Sequence, residues 1–192
     1  MRPELRRREA IREAAAAYLL RNGLAGMSLR PMAQAIGTSA RLLIYHFGTR
    51  EGLLIDVMGL IRRRARQDVE AMLRGASPDP DLAVLLRSFW RWCTAATNRP
   101  YLRLLFEVHG LALQNPKQYG AYLEGAVSHW IELLSSALAP ALGREAKATA
   151  TLMVGAIDGL LMDYLSTGDL RRTSRAVDLL AQILSSRGRS HR

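Results

Sequence analysis

The sequence has a single cysteine and no long apolar run. With no second cysteine available, Cys93 cannot form an internal disulfide, which favours a reducing, cytoplasmic compartment. Its neighbours Phe89, Trp90 and Trp92 indicate a small buried hydrophobic residue rather than a nucleophile. No stretch reaches the roughly eighteen consecutive apolar residues typical of a membrane span. The N-terminus is charged as far as Arg12, which argues against a signal peptide, so we expect a soluble protein with no membrane partner.

The residue patterns of catalysis and metal binding are also missing. The sequence has no phosphate-binding glycine loop, no GxSxG motif and no supported Cys/His pair. The side chains that could bind a metal ion lack the spacing of ligands; they are Cys93, Glu107, His109 and His129. We therefore predict no enzymatic activity, no metal site and no cofactor.

Acidic residues are few compared with basic ones. The chain has 17 Asp and Glu against 27 Lys and Arg, which gives a net charge of +10. Nine arginines but only three glutamates lie in residues 1–50, so the excess is concentrated there. Such a local excess is typical of a surface that binds nucleic acid or an anionic membrane. A solvated basic face has the same composition, and charge alone leaves both interpretations open.

No alternating strand pattern is present either. Apolar residues recur every three or four positions between glycine and proline breaks, which predicts an all-α protein of about nine helices. The first helix is predicted from about Pro3 to Arg21, with Arg8 and Arg12 off its apolar stripe. The next three are predicted from Ser28 to Gly37, from Thr38 or Ser39 to near His46, and from Thr49 to about Arg74. Residues 116–139 are predicted as one helix.

The second and third predicted helices have the sterics of a helix-turn-helix. Each has only about eight residues, too few to be stable alone, so they must pack on each other and on the first helix. Ala33 provides a small side chain where two helices cross, and Gly37 provides a turn that tolerates positive φ. Leu43, six residues later, returns to the interior, and this spacing is that of a helix-turn-helix. The predicted interior residues are Met32, Ile36, Leu43 and Phe47.

In a helix-turn-helix the third helix lies in the major groove of DNA. We predict that Arg41 reads a base, because a guanidinium can bond guanine O6 and N7 together. Tyr45 and His46 can each donate a hydrogen bond to a phosphate, and the sequence does not decide between them. The residues predicted to face DNA are Thr38, Ser39, Ala40, Arg41, Leu42, Tyr45 and His46, with Ala40 and Leu42 able to contact a thymine methyl group. Those predicted at phosphates, near helix N-termini, are Ser28, Arg30, Thr49 and Arg50.

The stretch "SLRPMAQAIGTSARLLIYHFGTREGLL" resembles the TetR (tetracycline-repressor-type) family of transcriptional regulators. The family pattern is met by Ser28, Met32-Ala33, Ile36-Gly37-Thr38-Ser39, Leu43, His46-Phe47 and Arg50-Glu51-Gly52-Leu53. There are two departures from it. Ile44 stands where a tyrosine is usual, with Tyr45 one place later, and Arg41 stands where a small residue is frequent. Arg41 therefore suggests that this protein has a DNA sequence preference of its own.

The resemblance implies a helix-turn-helix DNA-binding domain over residues 1–50 and a ligand-binding and dimerisation domain over 51–192. It implies a repressor released from an inverted-repeat operator by a small-molecule effector. It further implies a homodimer built from the last two helices of each subunit, about 145–166 and 172–186. Gly155 and Gly159 would let a partner helix approach closely, although the apolar segment 152–165 could also be the central helix of a monomeric bundle.

An apolar effector pocket inside the C-terminal domain is also implied. Its candidate walls are Trp90, Trp92, Tyr101, Phe106, His109, Trp130, Met153 and Met162. Ordinary core packing is the stronger interpretation for most of them, because any helical bundle uses aromatic residues and methionines at this spacing. His109 is the exception, since a histidine within an apolar stripe needs a hydrogen-bond partner, which a ligand could provide. Two rival functions remain: a non-specific DNA-compacting or membrane-surface protein, and an enzyme that turns over the pocket ligand.

Overall fold

The computed structural model describes residues 3–25, 27–74 and 82–189, and these residues form helices and no strand. The predicted all-α class of about nine helices is confirmed. The α helices are α1 (Pro3–Asn22), α2 (Leu29–Ala35), α3 (Ala40–Phe47), α4 (Arg50–Arg74), α5 (Leu82–Thr94), α6 (Arg99–Gln114), α7 (Pro116–Ala126), α8 (Ser128–Leu142), α9 (Ala146–Thr167) and α10 (Leu170–Arg189). A 3₁₀ helix, Gly143–Glu145, precedes α9.

The stretch 116–139, predicted as one helix, is divided between α7 and α8 at Val127. Tyr119 adds a kink inside α7, where its backbone is not helical (φ −112°, ψ 15°). Two glycines, Gly120 and Gly125, lie in this short segment, and glycine lowers helix stability by about 1 kcal/mol relative to alanine. The apolar period continues across the break, so the period alone could not reveal it.

By their contacts the helices form two compact units. The first unit is Met1–Arg66 with Pro100–Leu123, and the second is Gln67–Arg99 with Glu124–Arg192. The first unit thus joins most of α4, α6 and part of α7 to the first three helices. The predicted boundary at residue 50 stays a prediction, because a grouping by contact does not show where a DNA-binding function ends.

The core of the first unit is built around α1 and α4. The buried stripe of α1 consists of Ile11, Ala15, Ala16 and Leu19, and that of α4 begins with Leu53, Leu54, Val57 and Met58. Helix α6 is tied to the loop after α1, where the Leu24 N–H donates a hydrogen bond to Glu107 Oε2 (2.6 Å). Arg8 and Arg12 are half-buried rather than off the stripe as predicted, because both reach Asp56 on α4 (2.9 and 3.7 Å).

In the second unit α8 packs on α9, and α10 packs on α5 and α9. Helix α9 buries Met153, Ile157 and Leu161 on one side, whereas Leu152 and Met162 remain more than half exposed. Cys93 is buried, as predicted, and burial raises the pKa of its thiol, with the Asp158 carboxylate adding to the effect.

The stretch Tyr122–Thr167 is long and apolar enough to cross a membrane by length and composition, with a mean hydropathy of 1.3 in its best window. It is not one helix, however, because breaks at Val127 and Gly143 separate α7, α8 and α9. A helix that packs inside a soluble bundle has the same apolar composition.

Candidate nucleic-acid interface

The turn between α2 and α3 is closed by backbone hydrogen bonds. The Thr38 N–H donates to the Ala33 carbonyl (2.8 Å), while Gly37 adopts a positive φ of 69° that an L side chain rarely allows. Ser39 then caps α3, because its hydroxyl accepts a hydrogen bond from the Leu42 N–H (3.2 Å). These contacts set the direction in which α3 leaves the turn.

Helix α3 has one buried face and one exposed face. Leu43 is 1% exposed and Phe47 is 9% exposed, so both anchor the helix to the first unit as predicted. Met32 on α2 is also buried, whereas Ile36, predicted as interior, is half-buried. The opposite face carries Arg41 together with Tyr45, whose side chain is 70% exposed.

Ile44 belongs to the same exposed face and was not among the residues predicted to meet DNA. Its side chain is 41% exposed, because it follows Arg41 by three residues, nearly one helical turn. The helical period could therefore have identified it. Thr38, Ala40, Leu42 and His46 are half-buried, and Ser39 is exposed.

Tyr45 and His46, which the sequence left equivalent, differ in exposure. Their rings meet edge to face with centroids 5.0 Å apart. The Nε2 atom of His46 is buried and has no hydrogen-bond partner among the residues that the structure describes. Tyr45 is therefore the more accessible of the two, being 70% exposed, while the Nε2 atom of His46 is turned inward.

The predicted phosphate residues lie near the starts of α2 and α4. Thr49 caps α4, where its hydroxyl accepts a hydrogen bond from the Gly52 N–H (2.9 Å). Ser28 occupies the N-cap position of α2 but forms no side-chain cap hydrogen bond there, so its exposed hydroxyl is not used by the helix. Arg30 on the first turn of α2 is exposed as well.

Arg50 is the most constrained of these residues. Its guanidinium lies 3.5 Å from the Glu51 carboxylate, and its side chain is about one-third exposed (33%). Burial raises the pKa of Tyr119 on α7, Glu51 adds to this shift, and Arg50 opposes it. Arg50 thus lies close to both an acidic group and a buried phenol at the start of α4.

Gly52 allows α4 to start close to the end of α3. A Cβ atom at this position would overlap the carbonyl oxygen of Phe47, which is backbone and cannot move aside. In the sequence Gly52 is visible only as part of the motif Arg50-Glu51-Gly52-Leu53. The structure indicates that the residue is needed because two backbones approach each other there.

The residues predicted to line an effector pocket are divided between the two units. Tyr101, Phe106 and His109 lie in the first unit, where the His109 ring is 6.3 Å from that of Tyr122. Burial raises the pKa of Tyr122 to about 12, although the nearby Arg62 acts in the opposite direction. The other candidates lie in the second unit; they are Trp90, Trp92, Trp130, Met153 and Met162.

In the second unit Trp92 and Trp130 pack against Phe89, with ring centroids 5.9–6.4 Å apart. Trp90 instead lines a cavity of about 350 Å³ between α5 and α10 and donates a hydrogen bond to Ser174 Oγ (2.9 Å). Met153 is buried, whereas Met162 is 55% exposed.

Asp158 on α9 is a half-buried acidic residue within the apolar segment 152–165. Burial raises the pKa of its carboxylate to about 6. No group of three or more potential metal ligands is present among the described residues. Asp158 is therefore notable for its place in an apolar helix and not as part of a metal-ligand cluster of the described residues.

Sequence comparison identifies the N-terminal helices. Residues 11–57 match the sequence model of "Bacterial regulatory proteins, tetR family". The chain is also 40% identical over 73 residues to the HTH-type transcriptional regulatory protein RaaS of Mycobacterium tuberculosis (strain ATCC 25618 / H37Rv). That alignment covers 38% of this chain and about a third (34%) of the relative.

Structural comparison covers nearly the whole chain. A TetR-family transcriptional regulator from Cytophaga hutchinsonii matches 97% of this chain and 96% of its own, with a TM-score of 0.80 at 15% identity. The multidrug binding protein EbrR, in complex with imidazole, matches 94% of this chain and 90% of its own, with a TM-score of 0.70 at 24% identity. At these identities the likeness shows the fold alone. The chain therefore carries the N-terminal helix-turn-helix sequence of the TetR family of transcriptional regulators, on a fold that a TetR-family regulator shares over nearly its whole length.

Proposed function

We propose that this regulator is a repressor that binds an inverted-repeat operator as a homodimer and is released when a small molecule binds its C-terminal domain. The observation that carries the proposal is the division of α3 into a buried face, with Leu43 and Phe47, and an exposed face, with Arg41 and Tyr45. A short helix held in this way can enter a major groove without unfolding any part of the core.

Base reading is assigned to Arg41, because it is exposed at the N-terminal end of α3, the end that reaches base edges in a helix-turn-helix. Ala40 and Leu42 flank it and can contact thymine methyl groups. Tyr45 is preferred over His46 as a phosphate donor, since the His46 Nε2 is buried. The remaining backbone contacts are assigned to Ser28, Arg30, Thr38, Ser39, Thr49 and Arg50.

Dimerisation is assigned to α9 and α10. The exposed face of α9 carries Leu152, Gly155, Gly159 and Met162, at spacings of three and four residues. A Cβ at either glycine would meet no atom within 4 Å, so the space beside them is open to a partner helix. Exposed Leu179 and Ile183 on α10 extend the apolar surface. We therefore place Met162 at the subunit interface and not in an effector pocket.

The effector is proposed to be an apolar small molecule that binds among the aromatic residues of the domain 51–192. The fold supports this proposal, because the multidrug binding protein EbrR shares it and was solved with imidazole bound. By linkage, an effector weakens DNA binding by the same factor by which DNA weakens effector binding. A regulator of this kind acts on chromosomal DNA, which agrees with the predicted cytoplasmic location.

The test is DNA binding to the regulator's own upstream region and to a scrambled duplex of the same length, at about 50 and 200 mM salt. A specific repressor should prefer its own site by a factor of about 10³ or more. Equal affinity for both duplexes, with the same salt dependence, would support the non-specific DNA-compacting alternative.

A further inference from the structure

Arg8, on the second turn of α1, contacts the end of α3 and the start of α4 at once. Its Nε donates a hydrogen bond to the carbonyl oxygen of His46 (3.3 Å). Its Nη2 donates to Asp56 Oδ2 on α4 (2.9 Å). The guanidinium carbon also lies 5.1 Å from the centre of the Phe47 ring. One side chain therefore joins three helices, with partners 38 and 48 residues away in sequence.

These contacts suit the chemistry of a guanidinium. The last carbonyl groups of a helix have no partner within the helix, and a cation near that end is favourable. The planar group of Arg8 can bond a carbonyl and a carboxylate along its edge while its carbon lies over the Phe47 ring. A lysine ammonium is a single point of charge and cannot make all three contacts at once.

The contact lies at the end of α3 opposite to Arg41. Six residues separate Arg41 from Phe47, which corresponds to about 9 Å of helix. If α3 tilted by about 10° around Phe47, Arg41 would be displaced by about 1.5 Å. A hydrogen bond tolerates only about 0.5 Å of variation in length, so a tilt of this size would break a bidentate contact to a base.

We propose that Arg8 is a positioning residue that sets the tilt of α3, and with it the specificity for the operator, without touching DNA. The inference rests on the proposed function in one respect, namely that Arg41 reads an operator base. The orientation of α3 in the free protein does not depend on that assumption, and it can be measured separately.

Arg64 offers a matched control. It forms an ion pair with Glu13 (2.6 Å), so that it also joins α4 to α1. Its side chain is 53% exposed, compared with 37% for Arg8. In the described part of the chain Arg64 forms no hydrogen bond or ion pair with a residue of α3. Arg64→Met therefore removes an α1–α4 ion pair and one positive charge without releasing α3.

The experiment compares Arg8→Met, Arg8→Lys and Arg64→Met with the unmodified protein. Affinity is measured for the upstream operator DNA and for a scrambled duplex at two salt concentrations, and amide hydrogen exchange is measured without DNA. For Arg8→Met we expect a loss of about ten- to a hundredfold for each half-site of the operator, the value of one bidentate base contact, with less than about threefold loss on scrambled DNA. The salt slope should stay the same, and the amides of α3 should exchange faster.

Arg8→Lys should behave like Arg8→Met, because a positive charge alone does not replace the planar guanidinium. Arg64→Met should leave unchanged both the ratio of the affinities for operator and scrambled DNA and the rate of amide exchange in α3. Equal losses on both duplexes with a reduced salt slope would overturn the proposal, because Arg8 would then be a phosphate contact. Unchanged α3 exchange in Arg8→Met would overturn it as well. If the unmodified protein shows no operator preference, the proposed function fails, and exchange alone still decides whether Arg8 holds α3.

Discussion

Replacing Arg41 by alanine should remove one base contact from each half-site without disturbing the fold. The side chain is exposed and forms no recorded hydrogen bond in the described part of the chain, so the folding free energy should change by less than about 0.5 kcal/mol. A bidentate arginine–guanine contact contributes about 1–3 kcal/mol of discrimination, or roughly 5- to 150-fold. A dimer that reads two half-sites should lose about 2–6 kcal/mol on its full operator.

The assay is fluorescence anisotropy with a set of operators in which each base pair of one half-site is replaced in turn. The unmodified protein should distinguish the replacements at every contacted position, whereas Arg41→Ala should become indifferent at one position only. Arg103→Ala, which removes an exposed arginine from α6, controls for the loss of charge. If Arg41→Ala weakens operator and scrambled DNA by the same factor, Arg41 contacts phosphate and the reasoning from α3 is wrong.

Three further predictions concern stability and assembly. Gly52→Ala should destabilise the protein by about 1–3 kcal/mol, because the new Cβ overlaps a backbone carbonyl. Gly59→Ala on the same helix meets only the end of an arginine at 3.5 Å, so it should raise the midpoint of thermal unfolding, since alanine stabilises a helix by up to about 1 kcal/mol relative to glycine. Because burial raises the pKa of Asp158 from 3.8 to about 6, its contribution to stability is complete below pH 4 and is lost as pH rises through 6. This loss is about 3 kcal/mol, and Asp158→Asn should remove it from the pH profile of urea unfolding. Leu152→Glu should convert a dimer to a monomer in sedimentation experiments, while Leu113→Glu, also at an exposed leucine (63%), should not.

The two faces of α3 could be predicted from the sequence because they follow from local rules. A capping serine, a glycine turn and a period of 3.6 residues are enough to place Leu43 inward and Arg41 outward. The same rules placed Thr49 at the start of α4, where its hydroxyl accepts the hydrogen bond expected of a cap. Each of these inferences uses residues within a few positions of one another.

Long side chains that bridge distant segments could not be predicted in this way. Arg8 was predicted to lie off the apolar stripe of α1, and nothing in its local sequence indicates that it reaches the His46 carbonyl. The half-buried position of Asp158 could not be predicted either, because a carboxylate in an apolar helix can lie on its buried or its exposed side. A hydrophobic period gives the apolar face of each helix, but it does not give the helix that covers that face.

The two departures from the family pattern can now be compared with the residues that match it. Met32, Leu43 and Phe47 match and are buried, so a change at any of them would cost packing energy. The departures involve Arg41, Ile44 and Tyr45, which share the exposed face of α3 at spacings of three and four residues. Since these side chains lie outside the core, changes among them leave the helix anchored while they alter the groups offered to DNA. The exposed face of α3 is therefore where this regulator can differ from its relatives in operator preference without loss of the common fold.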